Sequence, residues 1–277
     1  MQKSLFHGLM AFLILALFFP ATVNAAIVGH FTKVVGNVDL LKAGKLPAIR
    51  VKVKDGVEPG DIIRTKSKAR AELTMVDNSV IVMAPKSRLA VADYVYDASN
   101  GNRHAVIRLF RGLVHTVVRR ILKTEQPNFI METHTATIGV RGTDFYTAMA
   151  PRKTVVYLVE GTVSVGSIAS ALTLGSIGQR LLHSMQFTVV SWGKQPTPPK
   201  PLTRDILRFL ERLMNTGLKA GLQGLQGTAV PEGSQKIQLP GFPSYQEQRL
   251  HQEYIPPVLQ PQPQHPAPAP VPSYSPM

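Results

Sequence analysis

No cysteine occurs anywhere in the 277 residues. That one absence excludes a disulfide framework, thiolate metal sites, a cysteine nucleophile and a lipid-modified N-terminal cysteine. A folded body must then rest on core burial alone, for which a stretch of about 165 residues is long enough. Carboxylates are also scarce: 17 Asp and Glu stand against 31 Lys and Arg, a formal net charge of +14. The excess is spread along the chain, with 22 Lys/Arg against 12 Asp/Glu between residues 26 and 192, so it is not a basic tail. Such a balance favours anionic partners such as lipopolysaccharide, acidic glycans, anionic lipid or nucleic acid, although a solvated basic face explains it equally well.

Reactive spacings are lacking too. There is no Gly-x-Ser-x-Gly elbow, no Walker phosphate loop, no Gly-x-Gly-x-x-Gly and no zincin helix. His30, His104, His115, His134 and His183 lie scattered in strand-like stretches, without the i, i+2 or i, i+4 pairing that builds a metal face. Glu132 and His134 share a strand face but have no third partner within local reach. No catalytic residue, cofactor-binding residue or metal ligand is therefore assigned, and an enzyme is not expected.

Long apolar runs are absent with one exception. Residues 9–19 are unbroken apolar, preceded by Lys3, broken by Pro20 and followed by the small-residue site Val23-Asn24-Ala25. This is the layout of a signal peptide over residues 1–25, too short for a membrane span of about 20 residues. The expectation is export with cleavage after Ala25, a periplasmic or secreted mature chain, and no transmembrane span after cleavage.

From residue 26 to 192 short alternating runs are punctuated by turn residues, which predicts an all-β sandwich or roll of short antiparallel strands. "IRVKVKDG" puts Ile49, Val51 and Val53 on one face and Arg50, Lys52 and Lys54 on the other. "RAELTMVDNSVIVM" is two runs hinged on Asp77-Asn78, where Asn tolerates a left-handed backbone. "HAVIRLFRGLVHTVVRR" breaks at Gly112, and "TVVYLVEGTVSVGS" pairs two runs around Glu160-Gly161. A further pair is expected around Gly175 and Gly178.

Composition shifts after Trp192. Residues 193–228 hold a proline linker and one amphipathic helix over 203–215, with Thr203 as cap, Asp205 in the first turn and Gly217 as stop. Its apolar stripe is Leu202, Ile206, Phe209, Leu210 and Leu213, suited first to docking on the β body and otherwise to a partner or membrane surface. Residues 229–277 are Pro- and Gln-rich and are expected to be an extended, disordered tail.

The segment "ATIGVRGTDFYT" holds the densest cluster of special residues. Gly139 and Gly142 permit close approach or positive φ, Phe145 points to core packing, Thr143 lies between, and Arg141 and Asp144 are near enough to pair. We take these six as a structural motif, a bend. Two sets of cations form a candidate basic patch: Arg50, Lys52 and Lys54, and the alternating Arg64, Lys66, Lys68 and Arg70.

In order, "GDIIRT" at 60–65, "RAELTMVDNSVIVMAPKSRLAV" at 70–91, "FRGLVHTVV" at 110–118, "THTATIGVRGTDF" at 133–145, "VVYLVEGTVSV" at 155–165 and "LTLGSIGQ" at 172–179 resemble the FecR domain family. Asn78 departs from the family pattern, which often has Gly there. The resemblance implies a non-enzymatic all-β periplasmic module that works by protein contact. With a cleavable leader at its start, the anti-sigma segment of the full-length regulators is not expected here. The resulting expectation is an exported interaction or sensing module with an envelope protein partner, or alternatively a basic binder of lipopolysaccharide or glycan, and no nucleic-acid partner.

Overall fold

Half-apolar strands gain stability only when their apolar sides meet across a shared interior. In the computed structural model, which describes residues 26–120, 128–168 and 178–216, the strands do this by alternating between two layers. The expected signal peptide at 1–25, the expected tail at 229–277, Gly175 and Gly217 lie outside the described residues. The first strands are β1 (Gly29–Val35), β2 (Val38–Leu41), β3 (Ile49–Arg50), β4 (Gly56–Val57), β5 (Ile62–Thr65) and β6 (Arg70–Met75). Next come β7 (Val80–Met83), β8 (Arg88–Asp97), β9 (Asn102–Val118), β10 (Phe129–Glu132), β11 (Ala136–Val140) and β12 (Thr143–Ala150). The last are β13 (Lys153–Glu160), β14 (Thr162–Ser167), β15 (Arg180–His183), β16 (Gln186–Ser191) and β17 (Lys200–Pro201), followed by one helix, α1 (Arg204–Thr216).

Hydrogen bonding orders the first layer as β4-β1-β6-β7-β9-β12-β13-β16-β17. The second runs β3-β2-β5-β8-β9-β10-β11-β14-β15. Strand β9 belongs to both. Its residues 102–111 pair with β8, and its residues 112–118 pair with β12. The switch falls at Gly112, at φ +104°, where a Cβ would stand 2.7 Å from Ser87 Cα. Only glycine combines that φ with that approach. Ser87 then fastens the bend: its hydroxyl donates to Leu113 O and accepts from Leu113 N–H, both at 3.2 Å.

The inward faces of both layers share one core. Phe31, Leu73 and Met83 from the first meet Ile63, Leu89 and Ile107 from the second, all essentially solvent-free. The outer face of the first layer is buried as well, which explains why β12 and β13 are apolar almost without alternation. Helix α1 covers it. Thr203 Oγ1 accepts from Ile206 N–H at 3.4 Å as an N-cap, and Phe209, Leu210, Leu213 and Met214 pack with Tyr146, Val155, Tyr157 and Phe187. Docking onto the β body is thus the role of the apolar stripe.

Three expectations change. The run 49–54 is not one alternating strand: only Ile49 and Arg50 pair with β2, and Asp55 Oδ2 accepts Lys52 N–H at 2.7 Å, turning the chain so that Lys54 sits at φ +76°. Strands β13 and β14 do not pair around Gly161; the chain changes layer there, and each strand finds non-local neighbours. One pairing, β9–β10, is parallel, because the chain re-enters the second layer from the first rather than through a hairpin turn. The hinge at Asp77-Asn78 forms as expected, with Asn78 at φ +61°.

Gly112→Ala is expected to cost about 2 kcal/mol or more, the sum of a left-handed strain and a backbone collision. Gly166→Ala, where the nearest atom is the flexible Gln179 Cγ at 3.4 Å, should stay within about 0.5 kcal/mol. Urea unfolding of the two variants measures both.

Candidate functional site

The Arg141 segment is where the chain passes from β11, in the second layer, to β12, in the first. Ile138, Val140 and Phe145 are fully buried and anchor the two strands, with Thr143 buried beside them. Gly142 adopts φ +68°, and a Cβ on it would lie 2.8 Å from Arg120 Cα. Gly139 differs: it sits within β11, between Ile130 and Ser164 on the neighbouring strands, and has no positive φ. Around the bend opens a concavity of about 400 Å³, lined by Arg120, Gly139, Arg141, Gly142, Gly161, Thr162, Ser164 and Leu181. The motif therefore both turns the chain and frames a surface cavity, which the strand pattern alone does not reveal.

Asp144 takes a partner other than Arg141. Its Oδ1 is 2.6 Å from His115 Nε2, and the imidazole stacks on Tyr146 with centroids 4.1 Å apart and planes 9° off parallel. His115 and Tyr146 are direct cross-strand neighbours on β9 and β12, so the register assembles the group. Burial, together with the charges of Asp144 and Glu211 and against that of Arg70, pushes the Tyr146 hydroxyl up to about 12, so it stays protonated at neutral pH. The pair resembles the orienting half of a triad but has no nucleophile bonded to it among the described residues. Sequence spacing hides it, since the partners stand 29 residues apart.

The other histidines stay separate. His104 faces Asp93 at 3.5 Å, and His134, whose partial burial lowers its pKa, stacks on Trp192 at 6.2 Å. Glu132 pairs with Arg108 at 2.8 Å. Ser191 and Lys194 fall at Ser-x-x-Lys spacing, but they close a turn in which Lys194 N–H donates to Ser191 O. Among the described residues no group of three His, Asp or Glu side chains could hold a metal ion.

The strongest electrostatic feature is structural. Arg103 and Asp77 form an ion pair with both side chains fully buried. Arg103 also donates to Asn128 Oδ1 at 2.6 and 3.0 Å and to Arg119 O at 3.1 Å, while Tyr94 and Ser79 donate to Asp77 at 2.6 and 2.7 Å. Burial opposes the Asp77 charge, but hydrogen bonds from Tyr94, Arg103 and Ser79 outweigh it and hold the carboxyl below the usual range. Burial beside that carboxylate pushes Tyr94 well up.

The seven candidate patch cations are distributed over several places. Arg64 and Lys66 converge on Asp39, each with a contact at 2.9 Å. Arg70 turns to the first layer and donates to Asn215 of α1 at 2.8 Å. Lys68 sits at the corner between layers with φ +58°, and Arg50, Lys52 and Lys54 are exposed around the turn at Asp55. Alternation along 64–70 does not put these residues on one face, because the chain changes layer between Arg64 and Arg70.

The geometry is that of an all-β, two-layered module with a capped outer face and a glycine-shaped bend. Residues 61–164 match the FecR protein family. That match supports a regulatory or sensing module. Two solved structures of candidate anti-sigma factors from Parabacteroides distasonis are similar, one at 15% identity and TM-score 0.41 over 53% of this chain and 63% of that one. The other has 14% identity and TM-score 0.44 over 60% of this chain and 72% of that one. The chain thus spans less than two thirds of the first of these proteins. No curated protein sequence matches it.

Arg103→Met should destabilise by about 3–5 kcal/mol, because it strands a buried carboxylate. Since Asp77 has a depressed folded pKa, its contribution is present above the ordinary unfolded value near 3.8 and is lost as pH falls through the folded value. Urea midpoints measured downward from pH 6 should therefore fall below about pH 4 in the wild type. An Asp77→Asn chain should lose stability at pH 6 and show a shallower acid decline.

Proposed function

We propose that this chain is a non-enzymatic FecR-type module that works by protein contact in the bacterial cell envelope. On this reading residues 1–25 direct export, residues 26–192 form the working domain, and residues 193–228 carry the linker and the capping helix. The Pro-rich segment 229–277 acts as a spacer. The observation that carries the reading is the FecR match over residues 61–164. It gains support from the way the two layers are finished. Helix α1 occupies the outer face of the first layer. On the second layer Val95 and Leu181 stay more than half exposed, at 59% and 54%, and β15 pairs on one side only among the described residues. A partner segment has an edge to extend at β15, and Val95 on β8, with four strands between, offers a separate apolar side chain to cover. No described helix is long and apolar enough to cross a membrane. The module needs neither cofactor nor metal for such contact.

A photocrosslinking amino acid at Val95, introduced in the full chain expressed in its own envelope, is expected to give a discrete protein adduct. The same group at Arg208, on the solvent side of α1, should give none. Adducts to glycan or lipid alone at Val95, or equal labelling at both positions, would overturn the protein-contact reading.

A further inference from the structure

We propose that residues 45–54, at the β3 edge of the second layer, dock on an anionic phospholipid bilayer. Leu46, Ile49 and Val53 enter its apolar margin, while Lys45, Arg50, Lys52 and Lys54 meet headgroup phosphates. The surface is independent of the protein-contact reading and does not require it.

The segment "KLPAIRVKVK" carries four cations and no carboxylate. Leu46 is 76% exposed, the most of any large apolar side chain among the described residues, and Ile49 and Val53 are 47% and 49% exposed. The backbone that presents them is fixed. Ahead of it, Lys42 Nζ pairs with Glu58 and Asp61 at 2.8 and 2.9 Å. In the middle, buried Val51 donates its N–H to Val38 O at 3.0 Å. Beyond, Lys54 N–H donates to Phe31 O at 2.8 Å, and Phe31 N–H donates to Asp55 O at 3.0 Å. Val53 and Lys54 thus form the tip of an anchored turn, and Leu46 stands in a bend before β3.

The charges are available to a partner. Nearby carboxylates are committed elsewhere: Asp39 to Arg64 and Lys66, Glu58 and Asp61 to Lys42, and Asp55 to the Lys52 amide. Among the described residues none of Lys45, Arg50, Lys52 and Lys54 forms an ion pair. Lys54 holds φ +76°, a conformation that glycine or asparagine takes with less strain, so the turn keeps an ammonium where backbone geometry does not favour one. Apolar side chains interleaved with cations suit a bilayer, whose apolar interior lies just beneath a plane of phosphates. Lysine and arginine stems can lie along that margin with their charged ends at the headgroups. An acidic peptide matches the cations but gives Leu46 no apolar medium to enter.

The lack of cysteine makes a site-specific test direct. Val53→Cys and Arg208→Cys, each in the full chain and each carrying an environment-sensitive fluorophore, are mixed with two kinds of vesicle. One is phosphatidylglycerol and phosphatidylcholine in equal parts, the other phosphatidylcholine alone. We expect a blue shift and quenching by brominated acyl chains at position 53 with the anionic vesicles, and neither at position 208. Added salt should weaken that binding. Each cation near an anionic bilayer strengthens binding about fivefold, so Lys52→Gln with Lys54→Gln should weaken it about twentyfold. Leu46→Gln should weaken it about tenfold. Apart from the named substitutions the chains are identical, so differences among them report this edge. A label at position 53 that stays in water, an equal response at position 208, equal binding to phosphatidylcholine alone, or wild-type affinity in the folded variants would overturn the proposal. So would tighter binding of a soluble polyglutamate peptide than of the anionic vesicles, which would make the edge a site for acidic protein. Crosslinking at Val95, on β8, is read separately, so the two readings fail independently.

Discussion

Strand β9 spends its first ten residues in one layer and its last seven in the other, and the bend that divides them is Gly112 locked over Ser87. Every later strand takes its place from that bend. The first arm of β9 offers edges to β8 and β10, the second to β7 and β12, so both layers grow outward from a single strand. The reciprocal hydrogen bonds between Ser87 and Leu113 replace ladder bonds that the bend interrupts, which keeps the corner from leaving buried backbone groups unsatisfied.

A chain without cysteine has to hold two layers face to face by other means, and apolar contact alone is non-directional. The buried pair Arg103–Asp77 supplies direction. Arg103 stands at the start of β9 and reaches the carbonyl of Arg119 just past its end, so one side chain spans the two arms of the bent strand. The same guanidinium holds the β6–β7 turn through Asp77 and the entry to β10 through Asn128. A buried charge pair is costly to desolvate, and here the cost is offset by hydrogen bonds that Tyr94 and Ser79 donate to Asp77 and that Arg103 donates to Asn128 Oδ1. Such a centre discriminates against shifted arrangements, since a strand slipped by one residue would strand a charge in the core.

The two outer faces have different fates. Helix α1 closes the first, and its capped N-terminus and buried Leu210 and Leu213 make it part of the folded body. The second carries the Arg141 cavity and the exposed Val95 and Leu181. The closer of the two histidine–carboxylate pairs among the described residues, His115–Asp144, lies on the first layer, stacked on a tyrosine that packs with the helix.

What the amino-acid order determined by itself was local: the two-residue period of the strands, the turn at Asp77-Asn78, the Thr203 cap, the stripe of α1 and the lack of a Walker loop, a Gly-x-Ser-x-Gly elbow or a zincin helix. These depend on near neighbours and backbone sterics, which a linear reading captures. Even there, one side chain could reverse the reading, as Asp55 did by turning the run 49–54. Tertiary structure decided which layer each strand joined, and hence that Arg64 and Arg70 part company, that Asp144 meets His115 and not Arg141, and that Arg120 arrives beside Gly142. A period of two tells which residues face inward but not which strand lies alongside, and pairings dozens of residues apart are settled only by packing the whole.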